Sequence, residues 1–212
     1  MNKEPRQLRI GVLGCGPISQ AAHFEACRKA RNAELYAMCD IAEDLVTRMA
    51  AVHEPRVTYL DYDQMLADPE VEAIIVAIAD QFHVRAALKA IAAGKHVLVE
   101  KPAARCSHEL ASVRAAVQAS GALVRVGFNH RYHRALRQAR EIFESGVLGE
   151  MMFVRARYGH GGRVGYEREW RMLPARSGGG ELTDRGHDAL RHLAGCILAD
   201  SKHGGILVHF AR

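Results

Sequence analysis

"LRIGVLGCGPIS", residues 8–19, decides how the rest of the chain is read. Residues 8–14 make a short apolar strand that ends in glycine. Pro17 can open the following helix, because the first helical position needs no backbone donor. Between them, Gly14 permits a tight turn, and Gly16 lets the backbone approach a pyrophosphate seated on the helix N-terminus. Ser19 stands where a third glycine or an alanine usually packs helix against strand. Such a fingerprint gains weight from its surroundings: a strand precedes it, a helix follows, and Asp40 ends the second strand where an acid can bond a ribose 2′-hydroxyl. A carboxylate at that point attracts a free 2′-hydroxyl and repels a 2′-phosphate, so NAD is expected over NADP.

Outward from this stretch, strands and helices alternate. Residues 33–40 and 72–79 read as strands, the second a continuous apolar run suited to a sheet covered on both faces. Helical spacing covers residues 17–31, 41–52 and 83–93, with Gly94 past the last helix end. "HVLVE" (96–100) is a strand, Ser107 is placed to cap a helix running to Ser120, and residues 122–128 form another strand. A βα repeat of this kind predicts an open parallel sheet with right-handed crossovers. After Phe128 the texture changes to a basic helix (132–145), a strand (150–159), a glycine- and arginine-rich stretch (159–180), a helix (181–198) and a last strand (205–211). The expected division is a dinucleotide-binding domain over 1–128 and an α/β substrate or oligomerisation domain over 129–212.

Composition bounds the function. The chain has 212 residues, 49% hydrophobic and 25% charged, as in ordinary globular proteins. No apolar run approaches the ~20 residues that cross a bilayer, and a cytoplasmic location without a membrane partner is expected. Five scattered cysteines form no C-x-x-C pair, which argues for structural thiols rather than a disulfide framework. The twelve histidines are dispersed too, and His130 with His133 lacks a third ligand, so no metal is expected. Residues 1–128 carry 15 basic and 15 acidic side chains, whereas residues 129–212 carry 14 and 9. That bias suits an anionic small molecule. The dispersed cations lack a recognition motif, so a nucleic-acid partner is not expected.

"VLVEKP", residues 97–102, places an acid and an amine at the mouth of an apolar strand. Ligands of a parallel sheet sit beyond the carboxyl ends of its strands. Lys101 would therefore face the nicotinamide end of a bound dinucleotide, able to bond a substrate hydroxyl and help take its proton. Glu100 can orient the lysine, and Pro102 fixes the chain direction.

The ordered set "GVLGCGPIS", "MCD", "VAIADQFHVRAALKAIAAGKHVLVEKP", "VGFNHRYHRALRQAREIFESGVLGE" and "GYEREWRMLPARSGGGELTDRG" resembles the glucose–fructose oxidoreductase, inositol dehydrogenase and rhizopine-catabolism (Gfo/Idh/MocA) oxidoreductases. The resemblance implies a doubly wound Rossmann domain followed by an α/β domain of the dihydrodipicolinate-reductase type, here shortened. It also implies homo-oligomers and NAD(P)-dependent oxidation or reduction of sugars, cyclitols or their derivatives. Lys101 falls on the family's catalytic lysine, His83 on the histidine after the fourth strand, and Asn129 on the asparagine after the sixth. The expected cofactor-binding set is thus Gly14, Gly16, Pro17, Ile18 and Asp40, with Ala77, His83, Glu100, Lys101 and Asn129 from the later strands.

One motif departs from the family. Relatives carry D-x-G-x-H-x-x-D, whereas residues 183–192 read "TDRGHDALRH". Asp184 and Gly186 match, Asp188 holds the position of the catalytic histidine, and Arg191 that of the last aspartate. His187 stands one place early, a rotation of about 100° on a helix. Three readings follow: Asp184 and Asp188 share a proton as a substitute pair, or a shortened turn lets His187 act, or the set is lost. The catalytic expectation is Lys101 and Asp184 with His187 or Asp188; the alternative is a dinucleotide-binding protein without turnover. Arg163, Arg168, Arg171 and Arg176 are candidates for holding an anionic substrate.

Overall fold

The structure is a computed structural model that describes residues 6–150, 153–158, 165, 168 and 205–210. The chain divides into two compact units, Met1–Gly127 and Phe128–Arg212.

The first unit is a six-stranded sheet in the order β3-β2-β1-β4-β5-β6. Its strands are β1 (Leu8–Leu13), β2 (Ala33–Cys39), β3 (Val57–Tyr59), β4 (Ala73–Val76), β5 (His96–Val99) and β6 (Val124–Val126). Every pairing is parallel, the doubly wound order in which the chain reverses between β1 and β4. Leu13 lies opposite both Cys39 and Val76, and Val76 opposite Val99. The carboxyl ends of β1, β2, β4 and β5 are therefore level.

Period-two alternation divides the core. Leu13, Cys39, Val76 and Val99 point to one face, where they meet Leu66 of α3 (Tyr62–Ala67), Ala87, Ala90 and Ile91 of α4 (His83–Ala92), and Val113 of α5 (Ser107–Ser120). Val12, Met38 and Ile75 point to the other, against Phe24 and Cys27 of α1 (Phe24–Lys29) and Val46 of α2 (Glu43–His53). Phe24 is fully buried, so truncating it to alanine would cost about 3–5 kcal/mol.

Several elements differ from the sequence expectation. The run over 72–79 pairs only through Ala73–Val76, leaving residues 77–79 to turn toward the sheet rim. β3 and α3 were not expected at all; Asp61 nucleates α3 by accepting the Asp63 N–H at 2.8 Å. Ser107 is not the cap of α5 but its first residue. Glu109 instead reaches back to the Arg105 N–H at 3.0 Å and to its guanidinium at 2.5 Å. Ahead of α1, Ser19–His23 is a π-helical turn.

The second unit begins with a 3-10 turn, Asn129–Tyr132, and α6 (Arg134–Glu144). Two strands, β7 (Phe153–Tyr158) and β8 (Gly205–Phe210), pair in parallel. The helix expected over 181–198 lies outside the described residues.

Candidate functional site

The glycine turn sits at the reversal point of the sheet. Gly14 has φ +98°, a region L side chains rarely enter. A Cβ there would lie 2.4 Å from the Ala77 carbonyl oxygen, so β1 and β4 close together only over a glycine. Ala77 is itself buried and donates its N–H to Leu13 O at 2.9 Å. Gly16 is the opposite case: a Cβ on it would meet no atom of the described residues within 4 Å. Internal packing does not demand glycine at 16, and the backbone there is open to close approach.

Asp40 is bound into the turn. One carboxylate oxygen accepts the Cys15 N–H at 2.8 Å and the other the Ala42 N–H at 3.0 Å. Each oxygen retains a second acceptor site. Ser19, in the third-glycine position, is fully buried and donates its hydroxyl to Gly14 O at 2.6 Å. Pro17 and Ile18 are exposed at the start of the helix. Burial, reinforced by Asp40, pushes the Cys15 thiol up to about 12, so this cysteine packs as a small apolar group and offers no thiolate.

Two strands away, a separation of about 10 Å, β5 delivers Glu100 and Lys101. Glu100 Oε2 accepts the backbone N–H of Lys101 at 3.1 Å, and Oε1 meets His23 Nε2 at 3.0 Å. Lys101 is partly buried, and the peptide to Pro102 is cis. His83 is completely buried, with Nδ1 2.7 Å from Pro102 O and Nε2 2.9 Å from Ile78 O. Burial holds its pKa below the usual histidine value, against the opposing pull of the two carbonyls. The neutral ring has one N–H to donate, to the Pro102 or the Ile78 carbonyl, and sits between the two segments that carry them. Asn129 is exposed in the 3-10 turn of the second unit.

Ile18, Ile41, Leu60 and Phe82 are all more than one-third exposed, Ile41 at 93%. Each follows the carboxyl end of one of β1 to β4. They give the rim apolar surfaces on which flat rings can lie. His23, Ile41, Leu60 and Phe82 escaped sequence reasoning, whereas Ile18 stood in the expected cofactor-binding set. The signal for His23 was available in principle, since an acid at the mouth of a buried strand requires a donor. Asp184, His187 and Asp188 lie outside the described residues, as do Arg163, Arg171 and Arg176. Among the described residues, no cluster of three metal-ligating side chains occurs, and no helix is long and apolar enough to cross a membrane.

Residues 8–128 match the profile of an oxidoreductase family, NAD-binding Rossmann fold (GFO/IDH/MocA), and residues 136–196 match a C-terminal domain of the same family. An inositol 2-dehydrogenase of Gluconacetobacter diazotrophicus is 34% identical over 151 residues, 70% of this chain and 45% of the relative. A myo-inositol 2-dehydrogenase of Thermotoga maritima is 28% identical over 148 residues, 70% of this chain and 44% of the relative. The chain thus spans about half the length of these curated relatives. Among solved structures, an NAD-binding protein from Listeria innocua superposes with TM-score 0.82 at 27% identity, covering 91% of this chain and 55% of its own. A 3-ketoreductase from Actinomadura kijaniata, solved with NADP and TDP-benzene, superposes with TM-score 0.83 at 25% identity, covering 92% and 59%.

Proposed function

Because the chain belongs to the GFO/IDH/MocA oxidoreductase family, we propose that it binds a nicotinamide dinucleotide at the carboxyl rim of its sheet and serves hydride transfer to or from a sugar or cyclitol. One observation carries the reading: the open Gly16 turn is tied to the Asp40 carboxylate by a 2.8 Å bond from the Cys15 N–H. The backbone amides past Gly16 would hold the pyrophosphate at the helix start. Free acceptor capacity on Asp40 would take a ribose hydroxyl, and the same charge would disfavour a 2′-phosphate, so NAD is preferred over NADP. Ile18, Ala77 and Phe82 would line the route between the two ends, and the family resemblance adds Asn129 to the cofactor-binding set.

When bound, the nicotinamide supplies the hydride acceptor or donor. Lys101 would bond the reacting oxygen and take or return its proton. Glu100 holds the backbone of that lysine, and His83 lies against the carbonyl of the next residue. Asp184, with His187 or Asp188, would complete the acid–base set from the second unit, and its cationic side chains suit an anionic sugar derivative. A second reading, dinucleotide binding without turnover, rests on Asp188 and Arg191 standing where relatives carry histidine and aspartate. The first inositol dehydrogenase relatives make cyclitols the first substrates to try.

Titration with NADH, followed by its fluorescence, tests binding. Absorbance at the NADH band, over a panel of cyclitols and sugars with NAD, tests turnover. Lys101→Met should abolish turnover and leave NADH affinity within about threefold; retained turnover would remove the lysine from the mechanism. NADH binding with no turnover on any polyol would favour the second reading.

A further inference from the structure

We propose that His23 is a positioning residue for Lys101, acting through Glu100; the inference rests on the assignment of Lys101 as the proton-handling residue. The Glu100 side chain is only 14% exposed and that of His23 only 10%. An ionised carboxylate so enclosed is tolerable only with donors on its oxygens. Glu100 has one donor on each side, the Lys101 N–H on Oε2 and the His23 ring on Oε1. A carboxylate only accepts, so the neutral ring that bonds it carries its proton on Nε2.

The main chain around this carboxylate is already fixed. The Glu100 N–H donates to Val76 O at 2.9 Å, and the Gly127 N–H donates to Val99 O at 2.8 Å. What can still turn is the carboxylate, and two features confine it. One is His23. The other is Gly127, where a Cβ would lie 2.9 Å from Oε1 and 3.2 Å from Cδ. A side chain at 127 would push the carboxylate out of the plane that serves Lys101.

The position of His23 gives this bond its reach. His23 closes the five-residue π-helical turn that Ser19 opens. Ser19 clamps Gly14 through its hydroxyl. One turn of helix therefore holds the glycine loop at its first residue and the lysine segment at its last. Through it, the two functional ends of the rim share a single support.

The test is the Lys101 backbone amide, observed by NMR in the 15N-labelled full chain. His23→Leu removes the donor, His23→Gln keeps one, and Gly127→Ala displaces the carboxylate by crowding the same Oε1 while leaving the His23 side chain unaltered, a control for what a moved Glu100 does to Lys101. Loss of a charge-assisted bond should move the Lys101 amide proton upfield and speed its exchange about tenfold in the Leu and Ala variants. Gln should restore most of both. NADH affinity should stay within about twofold in all three, while kcat on any polyol turned over by the wild type falls and KM holds. An unchanged Lys101 signal in His23→Leu would overturn the proposal, as would failure of Gln to restore a signal that Leu had moved. Should His23→Leu fail to fold, His23→Asn, whose shorter amide cannot reach Glu100, takes its place with the same expected loss. Absence of NADH binding by the wild type would sink the cofactor assignment separately, with the Lys101 amide still deciding this one.

Discussion

Adding a single methyl group at Gly14 and at Gly16 should have opposite consequences, although the two residues are neighbours but one. At Gly14 the backbone has φ +98°, which costs an L residue about 1–2 kcal/mol. The new Cβ would also sit 2.4 Å from the Ala77 oxygen. That atom is main chain in a strand end and cannot swing aside, so overpacking adds about 1–3 kcal/mol. Gly14→Ala should therefore lose about 2–5 kcal/mol, a large share of the roughly 5–15 kcal/mol typical of a domain. At Gly16 no described atom lies within 4 Å of the added carbon, so Gly16→Ala should stay within about 0.5 kcal/mol of wild type. If a pyrophosphate approaches that backbone, the methyl group stands in its way, and the same 1–3 kcal/mol becomes a loss of about 5- to 150-fold in NADH affinity. Urea unfolding followed by far-UV circular dichroism measures the first effect, and NADH fluorescence titration the second. Equal destabilisation by both variants, or wild-type NADH affinity in Gly16→Ala, would refute the division of labour between the two glycines.

Asp40→Ala should narrow the preference for NAD over NADP, measured as the ratio of the two dissociation constants; an unchanged ratio would refute the role given to that carboxylate. His83 contributes a pH dependence of stability. Its folded pKa lies below the 6.5 of the free side chain, so as pH falls through 6.5 the unfolded chain takes up a proton that the folded chain does not. Stability should then fall by up to about 1.4 kcal/mol per pH unit below 6.5, and His83→Gln should flatten that part of the profile in chemical denaturation. In a turnover assay, comparison of His187→Ala with Asp188→Ala should single out the residue that completes the acid–base set; no effect from either would favour dinucleotide binding without catalysis.

The legible parts of this chain are those where a single residue type meets a physical demand that little else satisfies. Gly14 and Pro17 mark the turn and helix start, and the continuous run in β4 marks a strand with both faces covered. Asp40 was legible because the end of the second strand is a fixed distance from the turn. β3 and α3 were not, since Val57–Tyr59 is too short to show a period and α3 begins on an Asp61 cap inside a polar stretch. Ser107 misled because Cys106 takes the cap position without a side-chain cap bond, and the local acceptor, Glu109, turns back to the Arg105 N–H and guanidinium ahead of the helix. The His23–Glu100 contact joins residues 77 apart, and periodicity carries no information over that range. Most of the rim of exposed apolar side chains is invisible for the same reason: Ile18 lies in the glycine turn's own stretch, but Ile41, Leu60 and Phe82 belong to three separate connections.

The double attachment of Asp40 matters to anyone redesigning coenzyme choice. Its oxygens secure Cys15 and Ala42, so exchanging it for a neutral or basic residue would slacken the loop that any coenzyme, phosphorylated or not, has to grip. Ile41 projects almost wholly into solvent and has no such duty. An arginine grafted there, beside the intact aspartate, is the gentler way to offset its charge and ease the bias against the 2′-phosphorylated form.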